Sequence, residues 1–248
     1  MRVTVVGCSG SLPGPDSSAS CYLVEADGFR VLLDLGNGAS GPLQRYADLG
    51  AIDAVLLSHM HPDHCADVCS LYIYRTYHPD GRHPPIPVYG PRGVAERMAS
   101  MYGREPEPGL RGAFDFTEWV TGKTSVGPFA VTVERVAHPV EAYGMRIEYD
   151  GGTLMYTGDT GPCDALPGLV AGADVLLSEA SFHEGTAHAP DVHLTGREAG
   201  EYAAQAGAGR LVVTHIPPWN DAQRTLAEAA SAYTGPIDLA RPGLTLDL

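Results

Sequence analysis

Apolar residues in this chain fall mostly into short runs closed by Gly, Pro, Asp or Asn, a pattern of strands joined by turns with a few amphipathic helices between them. In the first half it predicts strands over Arg2–Val6, Ser20–Glu25 and Arg30–Asp34, with Ala26-Asp27-Gly28 as a hairpin turn. Ala54-Val55-Leu56-Leu57-Ser58 is apolar without alternation, as a strand covered on both faces requires, and it runs directly into His59. Helix-compatible spacing covers Pro42–Asp48, Asp67–Tyr77 and Arg92–Tyr102, with a short strand at Ile86–Tyr89. The second half predicts strands over Ala130–Val136, Met145–Tyr149, Thr153–Thr157, Val175–Ser178 and Arg210–Thr214. Helices follow over Gly196–Ala206 and Ala222–Tyr233, the first preceded by Thr195 with Glu198 three residues on, a capping-box pattern. No linker, low-complexity tract or repeat divides the chain, so residues 1–248 read as one α/β domain of packed layers, with functional residues where strands end.

Charge narrows the partners. The 248 residues include 30 Asp+Glu and 16 Lys+Arg, a formal net charge of −14. A stable nucleic-acid complex over a broad basic face is not expected, because phosphate contacts need clustered Lys and Arg. A small anionic substrate would need a local cation. Nothing at the N-terminus resembles a signal peptide and no apolar run reaches membrane length, so the expected location is the cytoplasm, without membrane contact. Cys8, Cys21, Cys65, Cys69 and Cys163 are odd in number and lack zinc-knuckle spacing, which predicts buried free thiols.

The densest chemistry is His59-Met60-His61-Pro62-Asp63-His64 at the end of the apolar strand. In extended backbone His59 and His61 share a face, while the turn through Pro62 sends Asp63 and His64 toward a second point. Two adjacent metal sites follow. Imidazole and carboxylate suit zinc, manganese or iron, and paired ions a few Å apart form a clamp for phosphoryl chemistry. His138, Asp159 and His215 each lie just beyond a predicted strand, so they can converge on the same sheet edge. Gly36-Asn37-Gly38-Ala39-Ser40-Gly41 matches a dinucleotide-binding glycine pattern, but the next strand ends in Ser58-His59 rather than the acidic residue which that fold requires.

These segments resemble the metallo-β-lactamase superfamily, and more closely its ribonuclease Z-like phosphodiesterase branch. The likeness is carried by Gly7-Cys8-Ser9-Gly10-Ser11, Leu33-Asp34-Leu35-Gly36, the His59–His64 motif, Ala137-His138-Pro139, Gly158-Asp159-Thr160, Ser178-Glu179-Ala180-Ser181-Phe182, His193-Leu194-Thr195 and Thr214-His215. The resemblance implies an αββα sandwich of two mixed sheets flanked by helices, and often a homodimer. It implies that His59, His61 and His138 bind one metal, that Asp63, His64 and His215 bind the second, and that Asp159 bridges them. Zinc is the first assumption for both ions, with manganese or iron as alternatives.

Such a site activates water for in-line attack on phosphorus, with Asp63 also orienting that water. The leaving oxygen needs a separate acid. His193 is assigned that role with Glu179 as its orienting partner, because a carboxylate raises an imidazole pKa and fixes its tautomer. Only 21 positions separate His138 from Asp159, leaving no room for the inserted arm with which tRNA-maturing ribonuclease Z grips its substrate. The expectation is therefore a metal-dependent phosphodiesterase for a small phosphodiester such as a 3′,5′-cyclic nucleotide, as in similar armless bacterial enzymes. The alternatives are a tRNA 3′-processing endoribonuclease, or a hydrolase of an ester, lactone or β-lactam. Trp219, near His215, could stack on a base or pack in the core.

Overall fold

The structure, a computed structural model, describes residues 1–248. Its first half builds β1 (Arg2–Gly7), β2 (Cys21–Ala26), β3 (Phe29–Leu33), α1 (Ser40–Leu43), β4 (Ala54–Leu56), α2 (Pro62–Cys65), α3 (Val68–Tyr77), β5 (Ile86–Gly90), α4 (Val94–Tyr102) and β6 (Phe114–Glu118). The remainder builds β7 (Gly122–Val126), β8 (Phe129–Arg135), β9 (Tyr143–Tyr149), β10 (Gly152–Tyr156), α5 (Leu166–Val170), β11 (Val175–Glu179), α6 (Gly196–Ala206), β12 (Arg210–Thr214), α7 (Ala222–Ala232), β13 (Ile237–Leu239) and β14 (Thr245–Asp247). Two 7-stranded sheets result, ordered β14-β1-β2-β3-β4-β5-β6 and β13-β12-β11-β10-β9-β8-β7.

Side-chain alternation explains the layers. Val3, Val5, Tyr22, Val24, Val31, Leu33 and Leu56 from one sheet meet Val131, Val133, Met145, Ile147, Leu154, Tyr156, Leu177 and Val212 from the other in a central core. The intervening residues face outward but are equally buried. Leu23, Leu32, Val55 and Val88 pack under Leu43, Val68, Leu71 and Met98 of the helices on that side. Met155, Leu176, Leu211 and Val213 lie under Leu169, Ala199, Ala203 and Ala229 on the other. Burial on both faces is why the central strands are apolar without a break, and the result is an αββα sandwich.

Both sheets are mixed. β3, β4, β5 and β6 run parallel, as do β10, β11, β12 and β13. Loops leaving the carboxyl ends of parallel strands converge on one edge, where open α/β sheets place their ligands. Asp34 directly follows β3, Glu179 ends β11 and His215 directly follows β12. His59, His138 and Asp159 leave the ends of β4, β8 and β10 within three residues.

Several local expectations are corrected. The helix expected over Pro42–Asp48 is Ser40–Leu43; beyond it Arg45 and Tyr46 donate to residues three back, so the chain continues as tight turns. Cys8, Cys21 and Cys65 are buried free thiols, whereas Cys69 and Cys163 are only half-buried. No helix is long and apolar enough to cross a membrane.

Candidate metal centre

The sequence-predicted donors meet at this edge in two adjoining groups. His59 Nε2 and His61 Nδ1 stand 2.9 Å apart, with His138 Nε2 3.2 Å from His61 Nδ1. In the second group His215 Nε2 is 3.1 Å from His64 Nε2 and 3.2 Å from Asp63 Oδ2. Asp159 lies between them: Oδ1 is 3.2 Å from His64 Nε2 and 3.4 Å from His215 Nε2, and Oδ2 is 3.7 Å from His59 Nε2. His59, Asp63, His64, Asp159 and His215 are buried.

The outward bonds of the imidazoles fix what faces inward. His64 Nδ1 meets Asp34 Oδ2 at 2.7 Å, and His138 Nδ1 meets the Val192 carbonyl at 2.9 Å. Both partners can only accept, so each Nδ1 carries its proton. Ser58 Oγ donates to Asp34 Oδ2 and therefore accepts from His59 Nδ1 at 3.1 Å. Ser181 Oγ donates to the His215 carbonyl and accepts from His215 Nδ1 at 2.8 Å. With all four protons turned outward, the neutral rings aim four Nε2 lone pairs into the centre, the arrangement that prepares histidine to ligate a metal. Asp159 Oδ1 is buried and accepts no well-directed hydrogen bond despite its close imidazole neighbours. Facing lone pairs and an orphaned carboxylate oxygen need cations between them. The two groups of three and four donors are thus able to hold metal ions, and their nitrogen and oxygen character suits zinc, manganese or iron.

Titration behaviour agrees with the same need for positive charge. Burial pushes His59, His61 and His138 below the ordinary histidine value. For His64 burial again opposes the charge, but the carboxylates of Asp159 and Asp34 outweigh it and raise the pKa well above normal. Burial also opposes ionisation of Asp63 and Asp159, yet the surrounding imidazoles hold both below the usual carboxylate range.

Backbone geometry holds the second group rigidly. His215 has a φ of 55°, unusual for a residue with a Cβ. Its N–H donates to the Cys8 carbonyl at 3.0 Å. A Cβ added at Gly10 would collide with the His215 carbonyl, which explains the glycine there. Gly36 is excluded from carrying a side chain by the Asp63 carbonyl in the same way.

Beside the donors stands a pair of different character. His193 Nδ1 is 2.8 Å from Glu179 Oε1, and that buried carboxylate also accepts from the backbone N–H groups of Thr160 and Ser181 at 2.9 and 3.0 Å. Burial disfavours the His193 charge, but the charge and hydrogen bond of Glu179 outweigh it and lift the pKa to about 9. His193 Nδ1 lies 4.0 Å from Asp159 Oδ2. Distance alone would admit His193 as a ligand, but Nδ1, the nitrogen 4.0 Å from Asp159, is already bonded to Glu179.

His183, His78 and His83 take no part in the donor cluster. His183 is buried against the Asp221 carbonyl and Thr225 Oγ1, both at 3.1 Å. His78 and His83 pack around Tyr74. Arg197 is paired on the surface with Glu184 at 2.7 Å. Four residues that orient donors were not singled out from the sequence: Asp34, Ser58, Ser181 and Val192. Only Asp34 left a signal, as an acidic residue ending an apolar strand.

The comparisons with known proteins agree with this construction. A family profile described as "Beta-lactamase superfamily domain" matches residues 29–216. An uncharacterised protein of Mycobacterium leprae is 44% identical over 254 residues, covering 100% of this chain and 89% of the relative. A ribonuclease Z of Mycobacterium bovis is 33% identical over 270 residues, covering 96% and 95%. The crystal structure of the metallo-β-lactamase fold protein YhfI from Bacillus subtilis superposes with a TM-score of 0.88 at 29% identity, over 99% of this chain and 98% of that one. This chain is a metallo-hydrolase and belongs to the metallo-β-lactamase superfamily, in its ribonuclease Z-like branch.

Proposed function

We propose that the protein is a binuclear metal-dependent phosphodiester hydrolase for a small phosphodiester, a 3′,5′-cyclic nucleotide being the substrate that fits best. The observation that carries this reading is the His193–Glu179 pair beside the donor cluster. His59, His61 and His138 would hold one ion, Asp63, His64 and His215 the other, and Asp159 would reach both. When bound, two divalent cations lower the pKa of water and neutralise negative charge on phosphoryl oxygens. The chain's own residues supply the rest. Asp63 accepts a proton or hydrogen bond from the attacking water and orients it. Glu179 keeps His193 protonated and fixes its Nδ1–H, so the second ring nitrogen can deliver a proton to the leaving oxygen. An alkoxide leaving from phosphorus needs that proton.

A compact substrate is favoured by the segment between His138 and Asp159. It is occupied by β9 and β10, joined through the tight turn at Asp150-Gly151, with no projecting arm. The net charge of −14 argues in the same direction. The similarity to ribonuclease Z favours a second reading, tRNA 3′ processing, in which local contacts would replace the arm.

The test is a substrate panel on protein of measured metal content: cyclic AMP and cyclic GMP, bis-p-nitrophenyl phosphate, precursor tRNA, and thioester, lactone and β-lactam probes. Cyclic nucleotide turnover that is lost in Asp159→Ala is expected. Cleavage of precursor tRNA without cyclic nucleotide turnover would replace the first reading by the second, and turnover of carbonyl probes alone would refute both.

A further inference from the structure

A cavity of about 370 Å³ is lined by His193 and by none of the metal-donor residues, and its walls carry neither Lys nor Arg. Its volume falls within the range of small-molecule sites. Phe182 and the His188 ring stack on one side, with centroids 4.4 Å apart and planes inclined by 22°. On another side stands Trp219. The chain has two tryptophans: Trp119 is 7% exposed and donates Nε1–H to the Leu57 carbonyl, whereas Trp219 is 67% exposed and lines this cavity. The backbone that carries it is held. Pro217-Pro218-Trp219-Asn220 is a turn closed by the Asn220 N–H to the Pro217 carbonyl at 2.9 Å. Asn220 Nδ2 also donates to the Ser181 carbonyl at 2.6 Å, which leaves the amide oxygen as an acceptor.

We infer that this cavity is a nucleobase subsite, in which the planar heterocycle carried by the leaving alcohol lies against Trp219 and the Phe182–His188 stack. The inference rests on the phosphodiester reading and specifies it further. His193 forms the wall shared by cavity and donor cluster, so whatever is attached to the oxygen it protonates extends into the cavity. In a 3′,5′-cyclic nucleotide both ester oxygens belong to one ribose, and the base is therefore tethered to the leaving group whichever bond breaks. Apart from His193, whose charge is paired with Glu179, no Lys or Arg stands in the walls to hold a second phosphate, while aromatic faces suit an uncharged π-system. Ser11 and Asn220 offer hydroxyl and amide groups for the polar edge of a base.

Two measurements test this. The first compares kcat/KM for cyclic AMP with that for the 3,5-cyclic phosphate of 1-deoxyribose, which keeps the 2-hydroxyl and has no base. A stacked base is worth about 1–3 kcal/mol, so the wild-type preference for cyclic AMP is expected to be roughly 5–150-fold. In Trp219→Ala the preference should shrink at least about fivefold, mostly through KM, while Trp219→Phe keeps most of it. The second measurement needs no turnover: adenosine, but not ribose, should quench tryptophan emission excited at 295 nm in wild type, and Trp219→Phe should lose that response. An unchanged preference in Trp219→Ala, or equal responses to adenosine and ribose, overturns the subsite. Quenching by adenosine in a protein that turns over no cyclic nucleotide would support the subsite and reject the assigned substrate class. Turnover of cyclic AMP with an unchanged preference would do the reverse.

Discussion

His64 and His215 present their Nε2 atoms to each other across 3.1 Å, while their Nδ1 protons are already donated to Asp34 and Ser181. Two neutral rings so placed repel. The interaction becomes favourable when a proton or a metal lies between them and the neighbouring Asp159, so metal and proton compete for the same space.

Metal uptake is therefore expected to release protons and to weaken as pH falls. The sign for stability follows from the same group. The His64 pKa is raised above its ordinary 6.5, and that of His193 is raised to about 9. Their stabilisation is fully present below 6.5 and is lost as pH rises through the folded-state values. Chelator-treated protein should lose thermal stability between pH 7 and pH 9, while metal-loaded protein changes less. Calorimetric titration in buffers of different ionisation enthalpy reads the proton release. Metal affinity independent of pH would contradict the geometry.

Asp34 holds His64 in place and is the busiest acceptor in the core. It receives the Ser58 N–H at 2.6 Å, Ser58 Oγ–H at 2.7 Å and Tyr156 O–H at 2.6 Å in addition to His64. Removing it in Asp34→Ala leaves several buried donors unpaired, each costing about 1–3 kcal/mol, and should unfold or severely destabilise the protein. Asp34→Asn is the more informative change. Asn tolerates the φ of 58° observed there, but its NH2 group cannot accept the hydrogen bonds that a carboxylate oxygen accepts. The protein should fold, with metal affinity weaker by about 10–100-fold. Equilibrium dialysis checks this, and wild-type affinity in a folded Asp34→Asn protein would remove the positioning role.

The contact between Gly10 and His215 yields a more selective outcome. A methyl at position 10 must push back the His215 carbonyl, and with it the ring held by Ser181. Of the two metal-donor groups, the second alone contains His215, His64 Nε2 and Asp63 Oδ2 lying 3.1 and 3.2 Å from its Nε2. Gly10→Ala should therefore bind one metal equivalent tightly and a second weakly, where wild type is expected to bind two. Elemental analysis after dialysis distinguishes these cases, and two equivalents at undiminished affinity would show that the loop yields without moving the imidazole.

What could be read from sequence follows from where each signal resides. The six residues from His59 to His64 carry their chemistry in residue type and spacing, and His138, Asp159 and His215 were marked by the strands that precede them. Strands β6 and β7 gave no such signal, because Phe114–Glu118 and Gly122–Val126 expose most of their side chains and Lys123-Thr124-Ser125 has no apolar alternation. The three-residue edge strands β13 and β14 were too short to register. The supports of the imidazoles were hidden for another reason. Asp34 and His64 are 30 positions apart, Ser181 and His215 are 34 apart, and Val192 acts through a carbonyl that any residue could supply. Those relationships exist only once the two sheets have packed.

The pairing of His193 with Glu179 separates an acid from a bystander. Were His193 only part of the turn that leads into a helix, its loss would leave turnover intact, since Thr195 and Glu198 form the helix cap without it. As the acid, His193→Ala should lower phosphodiester turnover by roughly two to four orders of magnitude with metal content unchanged. A good leaving group such as p-nitrophenolate, which needs no proton, should suffer much less. Glu179→Gln supplies the pH signature. The carboxylate raises the His193 pKa, so removing its charge lowers the pH above which the acid is deprotonated. The alkaline limb of the kcat/KM profile should move to lower pH in Glu179→Gln. A limb that stays in place, with an alkyl phosphodiester as substrate, would show that the proton reaching the leaving oxygen comes from another group.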